Sequence, residues 1–169
     1  IRLNERLCLR VLKYFVLSLM VFQVNPVNAD LNWSYALEGK HRTDTNRARD
    51  IYRNPKATLE FFGIKPGMTV VEMAPGAGWY TEVLAPLMRT DGKLIAVHSD
   101  MNGGRYARMS LGAFLTKLSQ NDEVYDAVKV TTFDPAVNPT FLSIDAVDLV
   151  LTIRNIHSWL RSDQADLYS

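Results

Sequence analysis

Cysteine is almost absent from this chain of 169 residues. The only one, Cys8, leaves no disulfide framework to hold the fold. An excess of charge of either sign is also missing: 19 Lys and Arg face 18 Asp and Glu, a net charge of +1, which argues against a nucleic-acid-binding surface. No internal repeat or low-complexity tract is visible. No cluster of His, Cys and carboxylates stands at metal-ligand spacing, so no metal is expected. No apolar run reaches the ~20 residues that cross a bilayer. What is there, 47% hydrophobic and 22% charged residues, is ordinary globular chemistry, enough for one domain.

The first 29 residues read as a leader. Arg2, Arg6, Arg10 and Lys13 make a basic start, offset by Glu5, and the apolar run Tyr14 to Phe22 follows. Asn25-Pro26 breaks any helix, and Val27-Asn28-Ala29 puts small residues at the minus-three and minus-one positions. This is the layout of a secretory signal peptide with cleavage after Ala29; an uncleaved amino-terminal anchor is the alternative. Without residues 1–29 the chain has 15 Lys and Arg, 17 Asp and Glu, no cysteine and a net charge of −2. Such a chain suits an exported protein, periplasmic or extracellular.

The informative stretch is Val70 to Thr81. Val70 and Val71, between Thr69 and Met73, read as a buried strand. Pro75 and Gly76 stop it, and Gly76 and Gly78 give a turn that lets the backbone approach a ligand. Tyr80, Val83, Leu84 and Leu87 then share one helical face. Strand, glycine turn and helix is how an open α/β sheet binds a nucleotide-like ligand. A purely structural turn is the plain alternative. The third glycine of the dinucleotide fingerprint is missing, which counts against a nicotinamide-dependent oxidoreductase.

The pattern from Glu72 through Ala74 to Gly76 and Gly78, acid-x-small-x-Gly-x-Gly, resembles motif I of the class I S-adenosylmethionine (SAM)-dependent methyltransferases. The resemblance implies SAM as cofactor, with the turn under its methionine part and ribose, and Glu72 holding the turn and the amino group. A second set of residues narrows it. Tyr52-Arg53-Asn54-Pro55-Lys56, then Phe61 to Met68, then Pro75 to Glu82 is similar to a group of bacterial, mostly exported, predicted methyltransferases of class I. Tyr52, Arg53 and Trp79 match that narrower group; as a packing residue, Trp79 would cover the glycine turn.

Around that stretch the chain reads as follows. Residues 30–50 form a polar extension in which Trp33, Tyr35 and Leu37 could pack on the domain, while Arg42, Arg47, Arg49 and Arg53 read as a solvated face. Asn54 is expected to cap a helix with Pro55 at its first position; Leu59, Phe61 and Phe62 are its apolar side and Gly63 its end. Leu94 to Val97 is the second strand. The ribose-binding acid about 20 residues past the glycines falls on His98, with Asp100 two residues later as the carboxylate at hand. Gly104 opens a helix whose apolar side is Tyr106, Met109, Leu111, Phe114, Leu115 and Leu118. Val128 to Phe133 is the third strand and Asp145 to Ile153 the fourth.

By the resemblance, Asp134 would meet the adenine amino group and Phe133 would wall the ring, although Pro135 removes the backbone donor that usually follows. Asn155 and His157 fall where methyl donor and acceptor meet, and His157 has the pKa of a general base. Simple proximity and alignment would also suffice for methyl transfer. The Asn/Asp-Pro-Pro-Tyr signature of enzymes acting on nucleic-acid amino groups is missing, which makes Asn155 and His157 the site candidates; the partner expected is a small-molecule methyl acceptor, not a nucleic acid. The implied fold is a Rossmann-like α/β three-layer sandwich, here reduced to about four parallel strands in the order 3-2-1-4 with flanking helices. Residues 51–169 would be a partial methyltransferase domain. A chain that begins with Ile and stops at Ser169 reads as a fragment whose fourth strand is an open edge.

Overall fold

The computed structural model describes residues 30–133 and 146–156. The leader expected over residues 1–29, and Asp134 and His157, lie outside the described residues. The elements in chain order are α1 (Trp33–Glu38), α2 (Asp44–Arg47), α3 (Asp50–Arg53), α4 (Pro55–Phe61), β1 (Thr69–Met73), α5 (Thr81–Met88), β2 (Lys93–Ser99), α6 (Arg105–Ser119), α7 (Asp122–Tyr125), β3 (Lys129–Phe133) and β4 (Leu149–Thr152).

The four strands are parallel and ordered β3-β2-β1-β4, as expected. Val71 pairs with Ile95 on one side and Val150 on the other, so β1 is the inner strand beside the turn. Alternation divides its residues between two faces. Val70, Leu94 and Leu151 face the main core with Leu59 of α4, Val83 and Leu84 of α5 and Tyr125 of α7. Val71, Ile95 and Val97 face the opposite way in a smaller cluster. Val70 and Val71 are both fully buried, and each contributes about 1.5–3 kcal/mol by leaving water.

Four local expectations are corrected. Of the apolar side expected for α4 only Leu59 is buried, while Phe61 and Phe62 are exposed. Asn54 adopts a left-handed conformation (φ 41°) and makes no side-chain cap bond; its own N–H closes the separate helix α3 on Asp50. Pro55 does begin α4, where a missing N–H costs nothing. In α6, Leu111 and Phe114 are buried as expected, but Tyr106, Met109 and Leu115 are exposed and Ala107 completes the buried stripe. Residues three or four apart define a stripe, and this one is centred between the larger apolar residues. Arg42 is fully buried rather than solvated.

The end of α4 follows its sequence. Gly63 (φ 79°) lets its own N–H reach the carbonyl of Glu60 and the N–H of Ile64 reach that of Leu59, a Schellman closure. Helix α5 carries Pro86, which has no N–H for the carbonyl of Glu82. His41 fills that vacancy: its Nε2 donates to the Glu82 carbonyl at 2.9 Å. A proline inside one helix is thereby matched to a histidine 41 residues upstream of that carbonyl.

Candidate functional site

The site is built where β1 ends. Ala74 turns the chain in the left-handed region (φ 49°), held by its N–H on the Val97 carbonyl at 2.8 Å. The two glycines that follow do different work. Gly76 (φ 60°) is half-buried and has open space where a side chain would begin, so the backbone is bare there. Gly78 (φ 76°) is buried, and a Cβ on it would come within 3.0 Å of the Phe114 ring. Gly78 therefore lets α6 lie against the turn, while Gly76 leaves the approach to it free.

Glu72 points from β1 beneath this turn and is buried. Its carboxylate accepts the Thr81 hydroxyl at 2.6 Å, joining the strand to the first residue of α5. Burial pushes its pKa up to about 7, against the opposing pull of that hydrogen bond and of Lys117. A carboxylate this far from its ordinary value can exchange a proton near neutrality and responds strongly to any cation placed beside it.

A cavity of about 320 Å³ opens over the turn, lined by Glu72 through Ala77, by Trp79, by Arg49 and Arg53 of the amino-terminal segment, and by Arg154 and Asn155 beyond β4. That volume is at the small end of ligand pockets. Asn155 donates its side-chain amide to the Met73 carbonyl at 2.9 Å, which ties the end of β4 to the end of β1. Trp79 is buried, with its indole N–H on the Asn46 carbonyl at 3.0 Å and the Arg53 guanidinium 4.3 Å from its ring centre. Such stacking fixes an otherwise mobile cation.

The remaining residues singled out from the sequence are dispersed. Asp100 follows β2 and is half-buried; its oxygens accept the Asn102 N–H at 2.8 Å and the Thr132 hydroxyl at 3.3 Å. Phe133 ends β3 beside it, its carbonyl accepting the Asp100 N–H at 3.3 Å. Neither lines the cavity over Gly76. His98 is buried with its ring 4.5 Å from that of Phe114, its Nε2 without a partner among the described residues, and burial lowers its pKa to about 4. Tyr52 is 81% exposed and does not line the cavity.

The sequence reading missed the scaffold that holds the amino-terminal segment over the turn. Glu82, in the first turn of α5, is almost fully buried; Oε1 accepts the Asn46 amide at 2.7 Å and the Lys117 ammonium. Arg42 lies 3.5 Å from Oε2 and pairs bidentately with Asp50 at 2.7 and 2.8 Å. The one sequence signal was Glu82 itself, a carboxylate among Thr81, Val83, Leu84 and Ala85 in an otherwise apolar helix. Among the described residues no group of three or more His, Cys, Asp or Glu could hold a metal ion, and no helix is long and apolar enough to cross a membrane.

Neither a protein-family model nor a curated protein matches the chain. Solved structures do. A SAM-dependent methyltransferase from Aquifex aeolicus superposes with a TM-score of 0.52 at 23% identity, over 66% of this chain and 53% of its own. A cyclopropane-fatty-acyl-phospholipid synthase-like protein from Lactobacillus casei matches at 0.47 and 19% identity, over 75% and 49% of the two chains. An arsenic(III) S-adenosylmethionine methyltransferase from Chlamydomonas reinhardtii matches at 0.44 and 18%, over 60% and 33%. The chain thus spans about half the length of the Aquifex protein, or less for the other two. At such identities the likeness is one of fold: this chain has the Rossmann-like sheet order and flanking helices of the Aquifex methyltransferase.

Proposed function

We propose that the chain carries the donor-binding half of a SAM-dependent methyltransferase, exported and acting on a small-molecule acceptor. One observation carries the reading: the bare backbone of Gly76 opens onto a cavity at the carboxyl end of the inner parallel strand, with the Glu72 carboxyl beneath it. Ligands of open α/β sheets bind at that end of the strands. Among the described residues Glu72 is the one carboxylate in the cavity lining, and it is the group that would take the ligand's amino group. When bound, SAM supplies an electrophilic methyl group on its sulfonium.

The chain's own residues then divide the work. Ala74 and Gly76 leave room for close backbone contact, and Gly78 holds α6 against the turn. Glu72 attracts the amino group. In this reading Asp100, after β2, would take the ribose hydroxyls beyond the cavity over Gly76, and Phe133 and Asp134, the latter outside the described residues, would meet the adenine. Asn155 spends its amide on the Met73 carbonyl, so it positions the acceptor side of the site. His157, outside the described residues, is the general-base candidate of this reading.

Calorimetry tests the reading. S-adenosylhomocysteine should bind the full chain, and Gly76→Val, which builds a branched side chain into the open space, should abolish binding. NADH should give no fluorescence titration. A folded protein that ignores S-adenosylhomocysteine at millimolar concentration would overturn the proposal. Binding without turnover on any acceptor would reduce it to a binding module.

A further inference from the structure

The cavity holds more positive charge than the donor can use. Arg49, Arg53 and Arg154 converge on it from two parts of the chain more than a hundred residues apart. Among the described residues none of the three forms an ion pair with a carboxylate. Arg53 feels the other two: burial, then Arg49, then Arg154 hold its pKa below the ordinary guanidinium value. Lys117, also in the lining, is paired with Glu82, and Glu72 is turned to Thr81.

The backbone points to the same place. Three non-glycine residues in the described chain have positive φ: Asn54 at 41°, Ala74 at 49° and Arg154 at 66°. Ala74 and Arg154 line the cavity, and Asn54 directly follows Arg53. Left-handed conformations of such residues gather where a site holds side chains in a set geometry. Arg53 is further fixed by its stacking on Trp79. Guanidiniums without a salt-bridge partner are the usual means of recognising carboxylate or phosphate oxygens.

We propose that Arg49, Arg53 and Arg154 form an anion-binding subsite, and that it takes a carboxylate or phosphate group of the methyl acceptor. The assignment to the acceptor rests on the methyltransferase reading above. SAM carries a sulfonium and an ammonium against a single carboxylate, so the donor adds positive charge to the site. An acceptor bearing an anion restores the balance and is drawn in by the field of the cleft.

The test titrates inorganic phosphate into the full chain by calorimetry, with and without saturating S-adenosylhomocysteine. Arg49→Gln changes an exposed side chain, and Arg154→Gly suits the left-handed backbone, so both variants should fold; circular dichroism checks this. Phosphate should bind the S-adenosylhomocysteine-saturated protein, each variant should weaken it about tenfold, and added salt should weaken it further. If S-adenosylhomocysteine displaces phosphate while 5′-methylthioadenosine does not, the arginines hold the donor's carboxylate and the proposal falls. It also falls if phosphate does not bind, or binds both variants as well as the parent. If phosphate binds through the arginines and S-adenosylhomocysteine binds nowhere, the anion subsite stands and the methyltransferase reading fails.

Discussion

The Thr81 hydroxyl donates to the Glu72 carboxylate over 2.6 Å, inside the junction where the inner strand gives way to the glycine turn and helix α5. Both residues are buried. The bond joins the two ends of the turn and opposes the burial that raises the pKa of the acid under the cavity. Stability, pH response and ligand charge therefore meet at one side chain.

Glu72 should make the fold less stable as pH rises. Its folded pKa of about 7 lies above the ordinary 4.5. A raised carboxyl pKa means a contribution complete below about 4.5 and lost as pH climbs through about 7. Between pH 5 and pH 8 the loss amounts to about 2.5 kcal/mol relative to Glu72→Gln, at about 1.4 kcal/mol per pKa unit. Urea unfolding of both proteins at the two pH values measures it. Thr81→Val removes a hydrogen bond to the ionised form and should raise the pKa further. A cationic ligand should lower it, so SAM binding near pH 6.5 should release a proton, seen as a dependence of calorimetric heat on the buffer's ionisation enthalpy.

His98 should act in the opposite sense over nearly the same range. Its folded pKa of about 4 lies below the ordinary 6.5 because it is buried under Phe114. A depressed histidine contributes stability that is present above 6.5 and lost as pH falls toward 4. From pH 7 to pH 5 the loss is about 2 kcal/mol. The parent's two slopes should largely cancel between pH 5 and pH 6.5. Glu72→Gln should unmask acid sensitivity, and His98→Leu should unmask sensitivity to base. Melting curves on the two single variants and the double variant would show it.

The two glycines of the turn should respond differently to the same change. Gly76→Ala meets open space and carries only the left-handed penalty of about 1 kcal/mol. Gly78→Ala carries that penalty and also drives a methyl into the Phe114 ring, for a total of about 2–4 kcal/mol. Phe114→Leu should recover part of the loss at Gly78 and none at Gly76. A double-mutant cycle in urea unfolding separates the two positions.

The turn was legible because its cause is local: β-branched residues, a proline and two glycines within nine positions dictate strand, stop and bend. The strand order came with the resemblance to a fold, and the parallel pairings follow it. What stayed hidden was set at long range. Arg42 reads as surface because its partners, Asp50 and Glu82, lie eight and forty positions away. Helices α1 to α3 are four to six residues each, too short to show a helical period. The edges of the α6 stripe were misread because Ala107, small and weakly hydrophobic, is buried while Tyr106 is not. The split between Gly76 and Gly78 needed the position of Phe114, which no spacing rule supplies.

The amino-terminal segment should depend on Arg42 more than on Glu82. Arg42 is shut off from water, donates twice to Asp50 and once to the Leu37 carbonyl, and lies beside Glu82. Arg42→Ala removes all of these and leaves Glu82 buried with one cation fewer, at about 3–5 kcal/mol. In Glu82→Gln, Lys117 is already partly exposed and can turn its ammonium to water, while Arg42 keeps Asp50. That substitution should cost about 1–2 kcal/mol, close to the loss of one charged hydrogen bond. Because Asn46 holds Trp79 through its carbonyl, loosening the segment also frees the indole and the Arg53 stacked on it. Hydrogen exchange should therefore speed up over residues 33–53 in Arg42→Ala while β1 and β2 stay protected. Uniform acceleration across the sheet would mean that the segment is part of one cooperative fold, with no separate opening of the cavity's cationic wall.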